Sequence, residues 1–125
     1  MECDLKITPR GGQRDGIPVE AIPRELREYE TAEGASPFGD WIGSLRDKRG
    51  GAIIRIRVNR IQQGNFGNCE PVGEGVQELK INFGPGYRVY FGVDGDQIVL
   101  LGGGDKSTQS ADIREAQRRW SDYNG

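Results

Sequence analysis

Lys80, Asn82, Arg88 and Tyr90 stand at alternate positions of two consecutive stretches, QELKINF and YRVYFGV. Leu79, Ile81 and Phe83, then Tyr87, Val89 and Phe91, fill the positions between them. A period of two sends the two sets to opposite faces of paired strands. Gly84-Pro85-Gly86 reads as the turn that joins them. A three-residue turn pairs Phe83 with Tyr87, Asn82 with Arg88 and Lys80 with Tyr90, and it sets Ile81 against Val89 and Leu79 against Phe91. Opposed side chains would then lie roughly 5 Å apart at Cβ. One face packs a core. The other gathers two cations, an amide and a phenol, which is either a site for charge chemistry or an ordinary solvated sheet face.

The chain has no histidine. That excludes Ser-His-Asp and Cys-His nucleophiles and His-ligated zinc. Acid–base work falls to Lys, Arg, Asp, Glu or Tyr. A second candidate is Gly103-Gly104-Asp105-Lys106-Ser107-Thr108-Gln109. It follows an apolar strand and invites a phosphate-loop reading, but its Lys-Ser pair lacks the G-x-x-x-x-G frame of a Walker A loop. Three glycines after a strand also make a simple exit loop. Lys106 sits at the end of that strand, within reach of the patch around Lys80 and Arg88.

The elements that position these residues follow from the rest of the pattern. Length, 125 residues, suits one domain, and 34% hydrophobic content suits one modest core. Residues 1–24, with Gly11-Gly12, Gly16 and three prolines, read as a flexible or loosely docked extension. Residues 25–125 read as the folded domain. Leu26–Tyr29 is a candidate first strand. Ser36-Pro37 is a helix-start signal, and Phe38, Trp41, Ile42 and Leu45 form one apolar face over Ala35–Arg46, with Trp41 in the core. Ala52–Ile61 is open: Ile54, Ile56 and Val58 alternate as in a strand, yet Ile54, Val58 and Ile61 also form a helical face. Gln63–Asn68 is a glycine-rich loop. After the hairpin, Asp94-Gly95 signals a second tight turn, Gln97–Leu101 an interior apolar strand that Gly102–Gly104 ends, and Ser110–Trp120 a closing helix with Ser110 as N-cap. The fold class is α+β: helices first, then a small antiparallel meander, then a short C-terminal helix.

Charge is unevenly spread. The net formal charge is −2, but residues 1–40 hold five Lys/Arg and nine Asp/Glu, and Arg46–Arg60 holds six basic residues and one acid, Asp47. A basic element of this kind suits phosphate contacts, or is a solvated helix face. Its members Arg46, Lys48, Arg49, Arg55 and Arg60, with Asn82 and Tyr90, are candidate phosphate-contacting residues. No apolar run approaches the eighteen or so residues that span a membrane. MECDLKITPR lacks the apolar region of a signal peptide. Cys3 and Cys69 have no metal-ligand or disulfide-framework spacing and read as free thiols, so a cytoplasmic location is expected.

Three segments together carry a resemblance. VGEGVQELKI (72–81), FGPGYRVYF (83–91) and GGDKSTQ (103–109) followed by Asp112-Ile113 resemble the RelE/ParE toxin superfamily, nearest its HigB-like "addiction module killer protein" branch. The resemblance runs from about Tyr29 to Trp120. It implies a RelE-like fold, with helix for Gly51–Gln62. It implies a toxin of a toxin–antitoxin pair that cleaves mRNA, in the ribosome, by attack of a ribose 2′-OH on the adjacent phosphate. Within the family's pattern, Lys80 matches a lysine of the catalytic strand, drawing the 2′-OH proton. Arg88 matches the phosphate-binding arginine, and Lys106 the basic residue beside the leaving 5′-oxygen. Glu78 stands where some members have a second lysine, and no tyrosine follows Lys106 within a helix turn. The resemblance also implies a small antitoxin partner, often with a helix-turn-helix, besides the ribosome and mRNA. No cofactor or metal is expected. A gyrase-binding, ParE-like toxin without nuclease activity and a decayed family member are the rival expectations.

Overall fold

Ser36-Pro37 opens the first helix, α1 (Pro37–Ser44), as those residue types predict. The Ser36 hydroxyl accepts the Gly39 N–H at 3.0 Å, and Pro37 takes a position that needs no donor. The structure, a computed structural model, describes residues 13–14, 17–18 and 24–125. Phe38 and Ile42 are buried, and Trp41 and Leu45 pack beside them. The helix stops two residues short of Arg46, where Leu45 turns extended. Asp47 then caps α2 (Lys48–Gln62), its carboxylate accepting the Gly50 N–H at 2.8 Å. The ambiguous stretch is therefore helical. Ile54, Val58 and Ile61 are buried, whereas Ile56, which a strand would place beside Ile54 and Val58, is 52% exposed.

Five strands form one mixed sheet in the order β3 (Glu25–Glu28), β7 (Gln97–Asp105), β6 (Tyr87–Asp94), β5 (Gln77–Ile81), β4 (Cys69–Pro71). A separate two-residue ladder joins β1 (Gln13–Arg14) to β2 (Ile17–Pro18). Strands β4 to β7 are antiparallel to one another, and β3 runs parallel to β7 with Leu26 beside Ile98. The expected meander is thus the centre of a mixed sheet, widened by a parallel strand at one edge and a short antiparallel one at the other. The rest of the 1–24 extension, Arg24 apart, lies outside the described residues, as does Cys3.

Two expectations about the sheet need correction. The first concerns the hairpin, which closes at Ile81–Tyr87 and leaves five residues, Asn82–Gly86, in the connection instead of three. Lys80 consequently lies opposite Arg88 and Glu78 opposite Tyr90. The turn is held by the Phe83 N–H on the Ile81 carbonyl (2.9 Å) and the Gly86 N–H on the Phe83 carbonyl (3.1 Å). A shift of two residues preserves both faces, because the side-chain period is two. The second concerns Gly102–Gly104, which do not end the strand. They continue β7 opposite Tyr90, Val89 and Arg88. Their missing side chains admit Arg119, Trp41 and Asp112, which pack directly on Gly102, Gly103 and Gly104 in turn.

The sheet lies between two helical layers. On one face α1 and α2 bury Phe38, Ile42, Ile54, Val58 and Ile61 against Leu79, Ile81, Val89, Phe91 and Leu100. On the other, α3 (Gln109–Asn124) covers Val76, Tyr90, Val99 and Leu101 with Ala116 and Trp120. Each fully buried aliphatic side chain contributes about 1.5–3 kcal/mol, so these two interfaces hold the scaffold. α3 starts at Gln109, one residue before Ser110, which is exposed within the helix. Thr108 stands at the N-cap position, and its hydroxyl binds the Asp112 carboxylate at 2.5 Å. Among the described residues no helix is long and apolar enough to cross a membrane.

Candidate functional site

The α3 face of the sheet carries two adjacent rows of polar side chains. One row runs from Glu70 on β4 through Glu78 on β5 to Tyr90 on β6. The next holds Lys80 on β5 and Arg88 on β6, with Gly104 on β7. Carboxylates in one row thus neighbour cations in the next. Like charges directly opposed, as Lys80 and Arg88 are, destabilise a ladder unless something compensates them.

Lys80 is compensated by an ion pair with Glu70, with the two side chains 28% and 39% exposed. The Lys80 hydrogen bond and charge, with Arg88 adding, hold the Glu70 carboxyl below its ordinary range. Arg88 is buried, at 7% exposure. Its Nη1 donates to the Gly86 and Tyr87 carbonyls, both at 3.1 Å, while its Nε is buried with no partner. The two carbonyls hold the guanidinium plane in place, and a guanidinium is the group whose planar donors match phosphate oxygens.

Lys106 arrives from a third element. It opens a 3-10 turn, Lys106–Thr108, after β7, and its N–H donates to the Gly86 carbonyl at 3.1 Å. Its stem lies on Gly86: a Cβ there would fall 2.5 Å from Lys106 Cδ and 3.5 Å from Arg88 Nη1. Asp105, just before it, accepts from the Ser107 hydroxyl and N–H, and these bonds lower its carboxyl, with a further contribution from Arg88. Lys80, Arg88 and Lys106 therefore converge at the hairpin end of the sheet.

The basic helix contributes unevenly. Tyr87 donates its hydroxyl to Asp47 at 2.9 Å, and the Arg49 guanidinium lies over the Phe83 ring, 5.4 Å from its centre. These contacts fix the exposed Lys48 and Arg49 beside the hairpin turn, with the exposed Arg46 just before them. Arg55 instead borders a cleft of about 200 Å³ with Leu26, Glu28, Phe38 and Leu100, on the β3 side. Arg60 lies near the other end of the helix, twelve residues or about 18 Å from Lys48.

An uncharacterized protein of Haemophilus influenzae (strain Rd) is 46% identical over 81 residues, which cover 64% of this chain and 82% of that protein. The chain belongs to the family of that protein. No protein-family model matches the chain, and no solved structure matches it.

Besides Arg55 and Arg60, two further candidate residues do not join the cluster as expected. Tyr90 is 1% exposed, and its hydroxyl donates to Glu78 at 2.9 Å, so its ring cannot stack on a base. Burial, followed by the Glu78 charge, pushes its phenol far up. Asn82 is exposed in the turn, outside the ladder that was to hold it opposite Arg88. Three residues have roles that the sequence reading did not give them. Glu70 lies on a three-residue strand ending in Pro71, too short for a period-two signal. Gln109 donates to Glu78 at 2.9 Å from the start of α3. Gly86 is where Lys106 and Arg88 meet, and only its place in a Gly-Pro-Gly turn marked it. Cys69 is buried, its thiol bonding the Phe66 carbonyl at 2.9 Å.

Proposed function

We propose that this protein is a toxin of a toxin–antitoxin pair, of the RelE/ParE superfamily and its HigB-like branch, that cleaves mRNA in the ribosome. One observation carries the reading: Lys80, Arg88 and Lys106, the three residues matched to the family's basic set, come from three elements and meet at one end of the sheet. The order strand, two helices, antiparallel meander, helix also supports a RelE-like arrangement.

In this reading Arg88 receives the scissile phosphate in its guanidinium fork and stabilises the charge that grows in the transition state. Lys80 sits beside the attacking 2′-oxygen as a cation, and Lys106 neutralises or protonates the leaving 5′-oxygen. Lys48 and Arg49 hold RNA phosphates next to the turn. The cytoplasm is the place of action. The antitoxin, a small protein with a helix-turn-helix, is the proposed partner.

A second reading is favoured by the Glu70–Lys80 ion pair and the buried Tyr90, which leave the site less cationic and without a stacking ring. In it the protein arrests growth by binding gyrase, or is a decayed toxin. Induction in growing cells with mapping of mRNA 5′ ends separates the two. In-frame, translation-dependent cuts that vanish in Arg88→Ala support the nuclease. Growth arrest without new 5′ ends overturns it in favour of gyrase. No arrest overturns it in favour of a decayed toxin.

A further inference from the structure

Resting on the nuclease reading, we infer that Glu70 is the general base, taking the proton from the ribose 2′-OH, and that Lys80 orients it. Four carboxylates lie on or beside the two polar rows. Glu78 is 1% exposed and receives Tyr90 and Gln109. Asp105 receives the Ser107 hydroxyl and N–H. Asp112 receives Thr108 and packs on Gly104 beneath the first turn of α3. Glu70 alone combines a solvent-accessible carboxylate with a partner, Lys80, that itself belongs to the cationic row.

The chemistry favours the carboxylate over the amine. A base must hold a vacant electron pair at neutral pH, and an ordinary lysine, with pKa near 10.4, is almost wholly protonated there. A carboxylate held low by an adjacent ammonium is ionised throughout. Lys80, paired to Glu70 and directly opposite Arg88, stands between the base and the phosphate site. The step balances without a further reactant. Glu70 accepts the 2′-OH proton as the 2′-oxygen forms a bond to phosphorus. The P–O5′ bond breaks, and the 5′-oxygen leaves with a proton from the Lys106 ammonium. The products are a 2′,3′-cyclic phosphate and a 5′-hydroxyl. Proton return from Glu70 to Lys106 through solvent restores the enzyme.

The two assignments of the base predict opposite effects of one substitution. Glu70→Gln keeps size and frees Lys80. If Glu70 is the base, cleavage slows by about 10²–10⁴-fold; if Lys80 is, cleavage holds or quickens. The assay is single-turnover cleavage of mRNA on programmed ribosomes by the purified full-length protein. Glu70→Asp is expected to retain more activity than Glu70→Gln, with circular dichroism confirming that both are folded. The pH profile gives a readout that mere support of the strand would not move. A Glu70 base gives a rate flat from about pH 6 to 8, whereas a base that is protonated at neutral pH gives a rate that rises with pH across that range. Cleavage by wild type with an unimpaired Glu70→Gln overturns the assignment of Glu70 and leaves the nuclease reading standing. Absence of cleavage by wild type overturns both.

Discussion

Lys80 and Arg88 face each other directly across the β5–β6 ladder, and neither is the other's partner: Glu70 holds Lys80, and the Gly86 and Tyr87 carbonyls hold Arg88. The Lys80 charge is met by Glu70, but Arg88 is held by neutral carbonyls alone, so its charge calls for an anion. A phosphodiester, with two non-bridging oxygens, meets that demand.

Arg88→Lys is the sharper test of this relationship than deletion. Lysine keeps the charge but loses the planar fork and the donors that Arg88 directs at two carbonyls. Cleavage is expected to fall about 10²–10³-fold, as for loss of one transition-state donor. Rate measurement on programmed ribosomes checks it, and retention of wild-type activity would place the phosphate elsewhere.

Gly86 supports the site by lacking a side chain. Its φ is +83°, and a Cβ would lie 2.5 Å from Lys106 Cδ. Gly86→Ala is expected to cost at least about 1 kcal/mol from the left-handed backbone alone. It should also displace the Lys106 stem from its place on the turn. Thermal unfolding and cleavage should therefore both suffer, and a variant of unchanged stability would mean that the turn has another conformation.

Tyr90 separates a structural hydroxyl from a functional one. Tyr90→Phe removes one of two side-chain donors to the buried Glu78. The expected loss is about 1–3 kcal/mol, read by urea unfolding. RNA affinity should remain unchanged, because the ring is covered by α3. A drop in affinity without a drop in stability would restore Tyr90 to the binding surface.

Acid should loosen the fold through named carboxylates. Asp47 is lowered by the Gly50 N–H first and the Tyr87 hydroxyl second, and Asp105 and Glu115 are lowered by Ser107 and Arg118. A folded-state pKa below the unfolded one contributes stability that is complete above the unfolded value, near 4, and is lost as pH falls through the folded one. The melting temperature is thus expected to fall between about pH 5 and 3. Asp47→Asn keeps a side chain that can cap α2 but has no charge to lose, so its melting temperature should depend less on pH. Parallel curves for variant and wild type would remove Asp47 from the account.

Much of this was legible in the sequence where burial was one-sided. Leu79, Ile81, Val89 and Phe91 announced the core face of the hairpin, and that face survived a register error of two residues. The register did not survive, because Asn82–Gly86 folds into a turn whose length residue types do not dictate. Gly102–Gly104 read as an exit because glycine signals both turns and close approach. Only the places of Arg119, Trp41 and Asp112 decide between the two. Strand β4 and its Glu70 were hidden because three residues cannot show a period. The helical reading of α2 rested on resemblance until Ile56 emerged exposed.

The basic residues of α2 should divide by position, not by charge. Arg49 sits over Phe83 at the turn beside the cation cluster, whereas Arg55 borders the cleft that Leu26, Glu28 and Phe38 line near β3. An RNA strand that continues from Arg88 around the hairpin turn would meet the first and not the second. Removing one cation from an RNA phosphate lowers the slope of log affinity against log salt by about 0.7 for single strands. Arg49→Ala should weaken RNA binding and flatten that slope by about this amount. Arg55→Ala should change neither measurably. Both are exposed enough that stability should move by less than about 0.5 kcal/mol. Fluorescence anisotropy with a labelled RNA at several salt concentrations reads both quantities. Equal losses for the two variants would mean that the RNA follows the whole helix away from the hairpin, and that Arg88 does not fix its path.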